Sequence, residues 1–238
     1  MDTAELLASQ IAYYRARAGE YDDWLERRRE YRMSAEFVAR WEADVAAVRS
    51  WLGADPPTGR VLEVASGSGN WTGALLDTAD RVTAVDASPE MMALLAAKHD
   101  GVEQIVADIF SWQPPERYDN VFCAFWVSHV PLARWGQFWD LIDRALQPGG
   151  RVWIVDNAHP EHAAANGPSD WPKAAELRQI DHVGDEIHGR TLRDGSEWTM
   201  VKRFWRPTEL EADLGAAGWR AQVYNTGFAF LHGTAQRR

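Results

Sequence analysis

Glu63, Gly67 and Gly69 stand close together in the run VLEVASGSGNWT, residues 61–72, and their types and spacing suggest chemistry. Val61, Leu62 and Val64 form a short apolar run that stops at Ala65-Ser66-Gly67-Ser68-Gly69. That is the pattern of a strand running into a tight turn. Two glycines there let the backbone pass close to a ligand with no Cβ between them, and the N-terminus of a following helix would face the same ligand. The arrangement suits the grip on a nucleoside cofactor, although a glycine pair also serves turns that bind nothing. Three aspartates end later apolar runs in the same way: Asp86 after VTAV, Asp108 after IVA and Asp156 after VWIV.

The elements that must position these residues alternate from Arg60 onward, which points to a doubly wound α/β sheet. Strands are expected at Val61–Val64, Val82–Val85, Glu103–Ala107, Asn120–Phe125 and Val152–Val155. Helices are expected at about Trp71–Asp80, from Ser88-Pro89 through Leu95, and at about Arg134–Ala145, the last closed by Pro148-Gly149-Gly150. Ligands bind such sheets at the carboxyl ends of the strands near the switch point, so Gly67, Asp86, Asp108 and Phe125 should share one edge. From Ala158 to about Arg206 the alternation breaks into an irregular insertion, with a β-hairpin turning at Asp194-Gly195. A helix from Pro207 to about Ala217, stopped by Gly218, and strands near Arg220–Asn225 and Phe228–Thr234 end the chain. The first fifty residues read as helices, with Trp41, Val45 and Val48 at helical spacing.

A length of 238 residues allows one large domain with an ample core. The formal charge of -10 and pI near 5.2 disfavour a protein that lives on nucleic-acid phosphates. Cys123 is the single cysteine, so an intramolecular disulfide is excluded, and a buried inert thiol in an apolar strand is expected. The N-terminus lacks the pattern of a signal peptide and no apolar run spans a membrane, which leads to the expectation of a soluble, cytoplasmic protein. Most of the 13 tryptophans should serve burial.

Taken in order, these residues resemble class I S-adenosylmethionine-dependent methyltransferases over nearly the whole chain. The resemblance lies in Glu63 with Ala65, Gly67 and Gly69, in Asp86 of VTAVDASPEMM, in Asp108 of VADIF, and in LQPGGRVWIVD. Ala65 stands where glycine is commonest. The segments YYRARAGEYDDW and SHVP look similar to a small-molecule branch of that family with an N-terminal helical lid. The resemblance implies a seven-stranded Rossmann-like sheet, mostly parallel with an antiparallel last strand, as a single domain. Residues 1–50 would form the lid, 51–157 the cofactor-binding core, 158–206 a substrate-side insertion, and 207–238 the terminal helix and two strands. It implies S-adenosylmethionine as cofactor. The Gly67–Gly69 turn would wrap its methionine part near Glu63, Asp86 would accept from both ribose hydroxyls, and Asp108 from the adenine amino group. Ala87, Met91 and Ile109 would face the ring, Phe125 would lie on the same edge, and Tyr21, Tyr13 and Arg17 would belong to the lid. The acceptor would be a small, aromatic or partly apolar metabolite, neither nucleic acid nor membrane.

His129, just beyond the fourth strand, is the candidate general base for a hydroxyl acceptor, unless it only hydrogen-bonds the turn. Amines and carboxylates would need no base. A metal site among Asp156, His159, Glu161 and His162 lacks further ligand spacing, and Asp181, Asp185 and Glu186 lack that of a calcium loop. A nicotinamide-dependent oxidoreductase is opposed by Thr72, which occupies the third glycine position of that fingerprint. A nucleic-acid or protein methyltransferase would share the cofactor residues, but the acidic chain shows no basic stripe to hold such a target. A non-catalytic cofactor-binding protein would keep Glu63 and Asp86 as well, and only methyl transfer itself separates it from an enzyme.

Overall fold

The structure, a computed structural model, describes residues 2–168 and 186–238. Its strands are β1 Gly59–Val64, β2 Ala79–Asp86, β3 Val102–Val106, β4 Tyr118–Ala124, β5 Leu146–Asn157, β6 Ile187–Thr191, β7 Glu197–Val201, β8 Trp219–Asn225 and β9 Phe230–Arg237. Seven of them form one sheet in the order β3-β2-β1-β4-β5-β9-β8. The first five run parallel, and β9 is antiparallel to both neighbours, β5 and β8. This is the mostly parallel sheet with a reversed last strand that the family resemblance implied. The order turns around at β1, which pairs with β2 on one side and β4 on the other, so the switch-point crevice opens beyond Val64.

Both sheet faces are apolar because helices cover both. Leu62, Val64, Val121, Cys123, Val152 and Ile154 face Phe138, Trp139 and Ile142 of α6, Trp135–Ala145. On the opposite face Val61, Val82, Phe122, Trp153 and Val155 meet Phe37, Trp41, Val48 and Leu52 of α3, Ala35–Ala54. Each fully buried large side chain of this kind contributes about 1.5–3 kcal/mol relative to exposure. The buried Asp44 of α3 accepts from the backbone amides of Gly227, Phe228 and Ala229 at 2.7–2.9 Å and so pins the turn between β8 and β9.

Several boundaries differ from the sequence reading. Pro148-Gly149-Gly150 lies within β5 rather than closing α6, since Leu146 already pairs with Tyr118 before the register shifts to Arg151 opposite Asn120. A Cβ on Gly150 would stand 2.7 Å from the Asp119 carbonyl oxygen, which explains its glycine. The helix after β1, α4, covers only Thr72–Leu76, because β2 begins at Ala79 to meet Gly59. The helix after β2 is α5, Pro89–Lys98, and the Ser88 side chain caps it by accepting from the Met91 amide, as expected.

The insertion holds more order than expected in its first part. His159-Pro160-Glu161 starts a helix, α7, Pro160–Asn166, with His159 as its N-cap. The hairpin β6–β7 turns at Asp194-Gly195, as expected. The chain then forms α8, Pro207–Ala216. Asp181 and Asp185 lie outside the described residues.

At the other end, α1, Thr3–Arg17, opens with a capping box between Asp2 and Glu5, and α2 is Tyr21–Leu25. Helix α1 lies on β7. Ser9 Oγ donates to the Thr199 carbonyl at 2.8 Å, the Val201 amide donates to Gln10 Oε1 at 3.1 Å, and Gln10 Nε2 donates to the His129 carbonyl at 3.2 Å. Among the described residues no helix is long and apolar enough to cross a membrane.

Candidate active site

The turn after β1 is built from left-handed backbone. Ala65 has φ +52°, Gly67 +55° and Gly69 +80°. A non-glycine residue held there is strained, which explains why glycine is the commoner choice at the Ala65 position. The two glycines serve different ends. A Cβ on Gly67 would make only ordinary contact with the Tyr21 ring at 3.7 Å, whereas one on Gly69 would meet Leu95 at 2.9 Å and His99 at 3.1 Å. Gly67 therefore faces the crevice, and Gly69 lets the turn close against α5.

Asp86 fixes this turn from the neighbouring strand end. Its Oδ2 accepts from the Gly67 amide at 2.9 Å and its Oδ1 from the Ser88 amide at 2.8 Å. Each oxygen keeps a further lone pair for a ligand. Burial raises the Asp86 pKa, while the Ser88 and Gly67 amides pull against it. Asp108 is half free in the same sense, its Oδ1 accepting from the Phe110 amide at 3.0 Å.

Nine of the sequence-derived cofactor residues line a single cleft of about 710 Å³: Tyr21, Ala65, Gly67, Asp86, Ala87, Met91, Asp108, Ile109 and Phe125. His129 lines it too. Carboxylate acceptors beside a slot walled by Ala87, Met91 and Ile109 match a nucleoside, whose sugar needs acceptors and whose base needs apolar faces.

The remaining four lie elsewhere. Glu63 is buried beneath the turn, where its Oε2 accepts from Thr72 Oγ1 at 2.6 Å, and burial pushes its pKa up to about 8. Gly69 packs on α5, as above. Tyr13 and Arg17 line a second, adjoining cleft of about 810 Å³.

That second cleft contains most of what sequence reading missed. Trp24, Tyr31, Asn157, Arg190, Thr191, Leu192, Met200 and Lys202 line it, and Tyr14, Tyr21, Phe125 and His129 form the wall it shares with the first. Tyr14 and Tyr21 flank Arg17 at helical spacing, a signal that could have found Tyr14. The hairpin residues carry no motif. Phe125, at φ +55°, is held in strain at the shared wall with its ring 5.2 Å from that of Trp24.

His129 is buried and both ring nitrogens are engaged. Nδ1 lies 2.6 Å from the Val201 carbonyl oxygen, which only an N–H can satisfy, so Nε2 carries the lone pair and accepts the Tyr14 hydroxyl at 2.9 Å. Burial, reinforced by the Lys202 charge, holds the His129 pKa well below its ordinary value, so the ring is neutral near pH 7. Lys202 is itself buried and neutralised by Asp156 at 3.2 Å, with Ser128 Oγ at 2.7 Å and Asn157 Oδ1 at 2.9 Å accepting its other N–H bonds.

Among the described residues no group of three or more His, Cys, Asp or Glu side chains could hold a metal ion. His159 caps α7, and Glu186 Oε2 accepts from the Leu132 amide at 2.9 Å. Cys123 is buried, with its thiol pKa pushed up by burial.

Residues 61–150 match the family described as a methyltransferase domain. The SAM-HEP complex of DhpI is 36% identical, covers 99% of this chain and 100% of its own, and superposes with a TM-score of 0.79. The DhpI-SAH complex, also 36% identical, covers 99% of this chain and 98% of its own with a TM-score of 0.77. The ubiquinone biosynthesis O-methyltransferase of Xylella fastidiosa (strain 9a5c) is 30% identical over 166 residues, which are 67% of this chain and 60% of that protein. The chain thus spans about 60% of the length of that curated relative. Trans-aconitate 2-methyltransferase of Rhizobium leguminosarum bv. trifolii (strain WSM2304) is 30% identical over 138 residues, 52% of this chain and 51% of its own.

Proposed function

For a chain that belongs to the class I S-adenosylmethionine-dependent methyltransferases, we propose methyl transfer to a small-molecule acceptor, with S-adenosylmethionine in the first cleft and the acceptor in the second. One observation carries this reading: the two clefts meet at a single wall of Tyr14, Tyr21, Phe125 and His129. The cofactor supplies an electrophilic methyl group on a sulfonium. The protein supplies position, because holding two reactants aligned is itself a large part of catalysis in a displacement.

Asp86 would hold the ribose hydroxyls, Asp108 the adenine amino group, and Ala87, Met91 and Ile109 the ring. Gly67 would let the methionine part lie against the backbone. Helices α1 and α2 would form the lid, with α1 tied to the insertion through Ser9 and Gln10. The aromatic walls of the second cleft, Tyr13, Tyr31 and Trp24 among them, suit an acceptor that is aromatic or partly apolar. His129 positions Tyr14 by accepting its hydroxyl, and the lone pair a general base would use is thereby engaged.

The test is a methyl-transfer screen of the purified protein against a metabolite panel, read by mass spectrometry as a gain of one methyl group. Transfer to a small molecule that disappears in Asp86→Ala supports the reading. Transfer only to nucleic acid or protein would replace it, and failure to bind S-adenosylhomocysteine in calorimetry would sink it.

A further inference from the structure

We infer that the acceptor is an oxyanion, a carboxylate or phosphoryl group on a partly apolar small molecule, bound in the second cleft by Arg17 and Arg190. The inference rests on the methyl-transfer reading and names its acceptor class.

The cleft's charge is the ground. Arg17, Arg190 and Lys202 are its charged lining residues, and no acidic side chain lines it among the described residues. Lys202 is spent, because Asp156 balances its charge and three acceptors share its ammonium. The two guanidiniums are not balanced in this way. Arg17 is half-buried, its Nε has no partner, and it lies over aromatic faces, 5.2 Å from the Tyr21 centroid, 5.6 Å from Tyr13 and 6.0 Å from Trp24. Face contacts of this kind fix a guanidinium while leaving its N–H edge for an acceptor. The one hydrogen bond that the Arg190 side chain makes among the described residues is to the carbonyl of its own neighbour, Gly189, at 3.3 Å.

Two cations lining an aromatic cleft beside the position of a cationic sulfonium repel one another unless an anion enters. Guanidinium forks match carboxylate and phosphoryl oxygens in geometry as well as charge. Such an acceptor also explains a site whose histidine is neutral and already engaged. The accepting oxygen forms the new C–O bond as the C–S bond breaks, the C–S electron pair stays on sulfur, and the oxygen's own negative charge is discharged. No proton has to leave the acceptor. The remaining oxygen or oxygens stay in the arginine forks while one takes the methyl group.

The experiment is titration calorimetry on the full chain saturated with S-adenosylhomocysteine, with benzoate, phenyl phosphate and uncharged benzamide as probes. At least one acid should bind at least about tenfold more tightly than benzamide, and Arg190→Gln should weaken it about tenfold or more. Arg17→Gln should do the same, with S-adenosylhomocysteine affinity within about threefold of wild type in both variants. Tighter benzoate assigns a planar carboxylate, and tighter phenyl phosphate a tetrahedral group. Benzamide binding as well as the acids, no binding of either acid, or unchanged affinity in both variants overturns the inference while the methyl-transfer reading stands. Loss of S-adenosylhomocysteine binding by the wild type overturns that reading, and the inference with it.

Discussion

The Tyr14 hydroxyl donates to His129 Nε2 at 2.9 Å, at the wall the two clefts share. The Val201 carbonyl sets the direction of that bond, because its 2.6 Å contact with Nδ1 requires the proton there. Helix α1, the segment after β4 and strand β7 are thereby joined in one chain of hydrogen bonds.

If His129 is held neutral, the methyl-transfer rate should show no inflection between about pH 6 and 8 that belongs to this ring. Tyr14→Phe should lower kcat about tenfold or more, since a 1 Å loss of alignment can cost on the order of 10²-fold. An inflection near pH 6.5 that vanishes in His129→Gln would instead make the imidazole a general base. The sign for stability follows from the same depressed pKa. Below about pH 6.5 the unfolded chain takes up a proton that the folded ring refuses, so stability is lost as pH falls through that window toward the folded value. His129→Gln should flatten this arm of a pH-dependent denaturation curve.

Glu63 works in the opposite sense. Its folded pKa of about 8 exceeds the unfolded value, so its stabilisation is fully present below about pH 4.3 and is lost as pH rises through 8. Glu63→Gln keeps an acceptor for Thr72 and removes the ionisation. The variant should therefore gain stability relative to wild type between pH 5 and 8.5 in urea denaturation of the ligand-free protein, and an unchanged difference across that range would contradict the assignment.

Asp86→Ala should weaken S-adenosylhomocysteine binding in calorimetry by about 2–3 kcal/mol, because hydrogen bonds to a charged acceptor are each worth about 1.5–3 kcal/mol. Near-normal affinity would remove the ribose assignment. Circular dichroism should stay native, since the Gly67 and Ser88 amides released by the change lie at the cleft edge.

Ala65→Gly should raise or leave unchanged the denaturation midpoint, because a non-glycine residue in left-handed backbone costs about 1–2 kcal/mol and glycine's greater unfolded entropy offsets about half to one. A clear destabilisation would mean that the methyl group's packing against its neighbours outweighs the strain at φ +52°.

Much of the first cleft was legible because its chemistry is local. The strand-to-turn step at Val64, the cap at Ser88 and the aspartates at the ends of β2 and β3 are all set by residues adjacent in the chain, and strand alternation brings them to one edge without further information. The extra helix α7 and the full length of β5 were hidden, since α7 falls where the alternation breaks and Pro148-Gly149-Gly150 reads locally as a helix stop, and only pairing and capping partners reveal their roles.

The alternation of strands and helices, the glycine turn and the aspartates at the strand ends can be read along the chain, because periodicity and turn chemistry act over a few residues. Folding alone brings Arg17 of the first helix and Arg190 of a hairpin more than 170 positions later to one aromatic cleft. It also decides that Lys202 there is already neutralised and that His129 is buried and held by Tyr14 and Val201. Charge balance and burial are sums over neighbours in space, and no spacing along the chain encodes them.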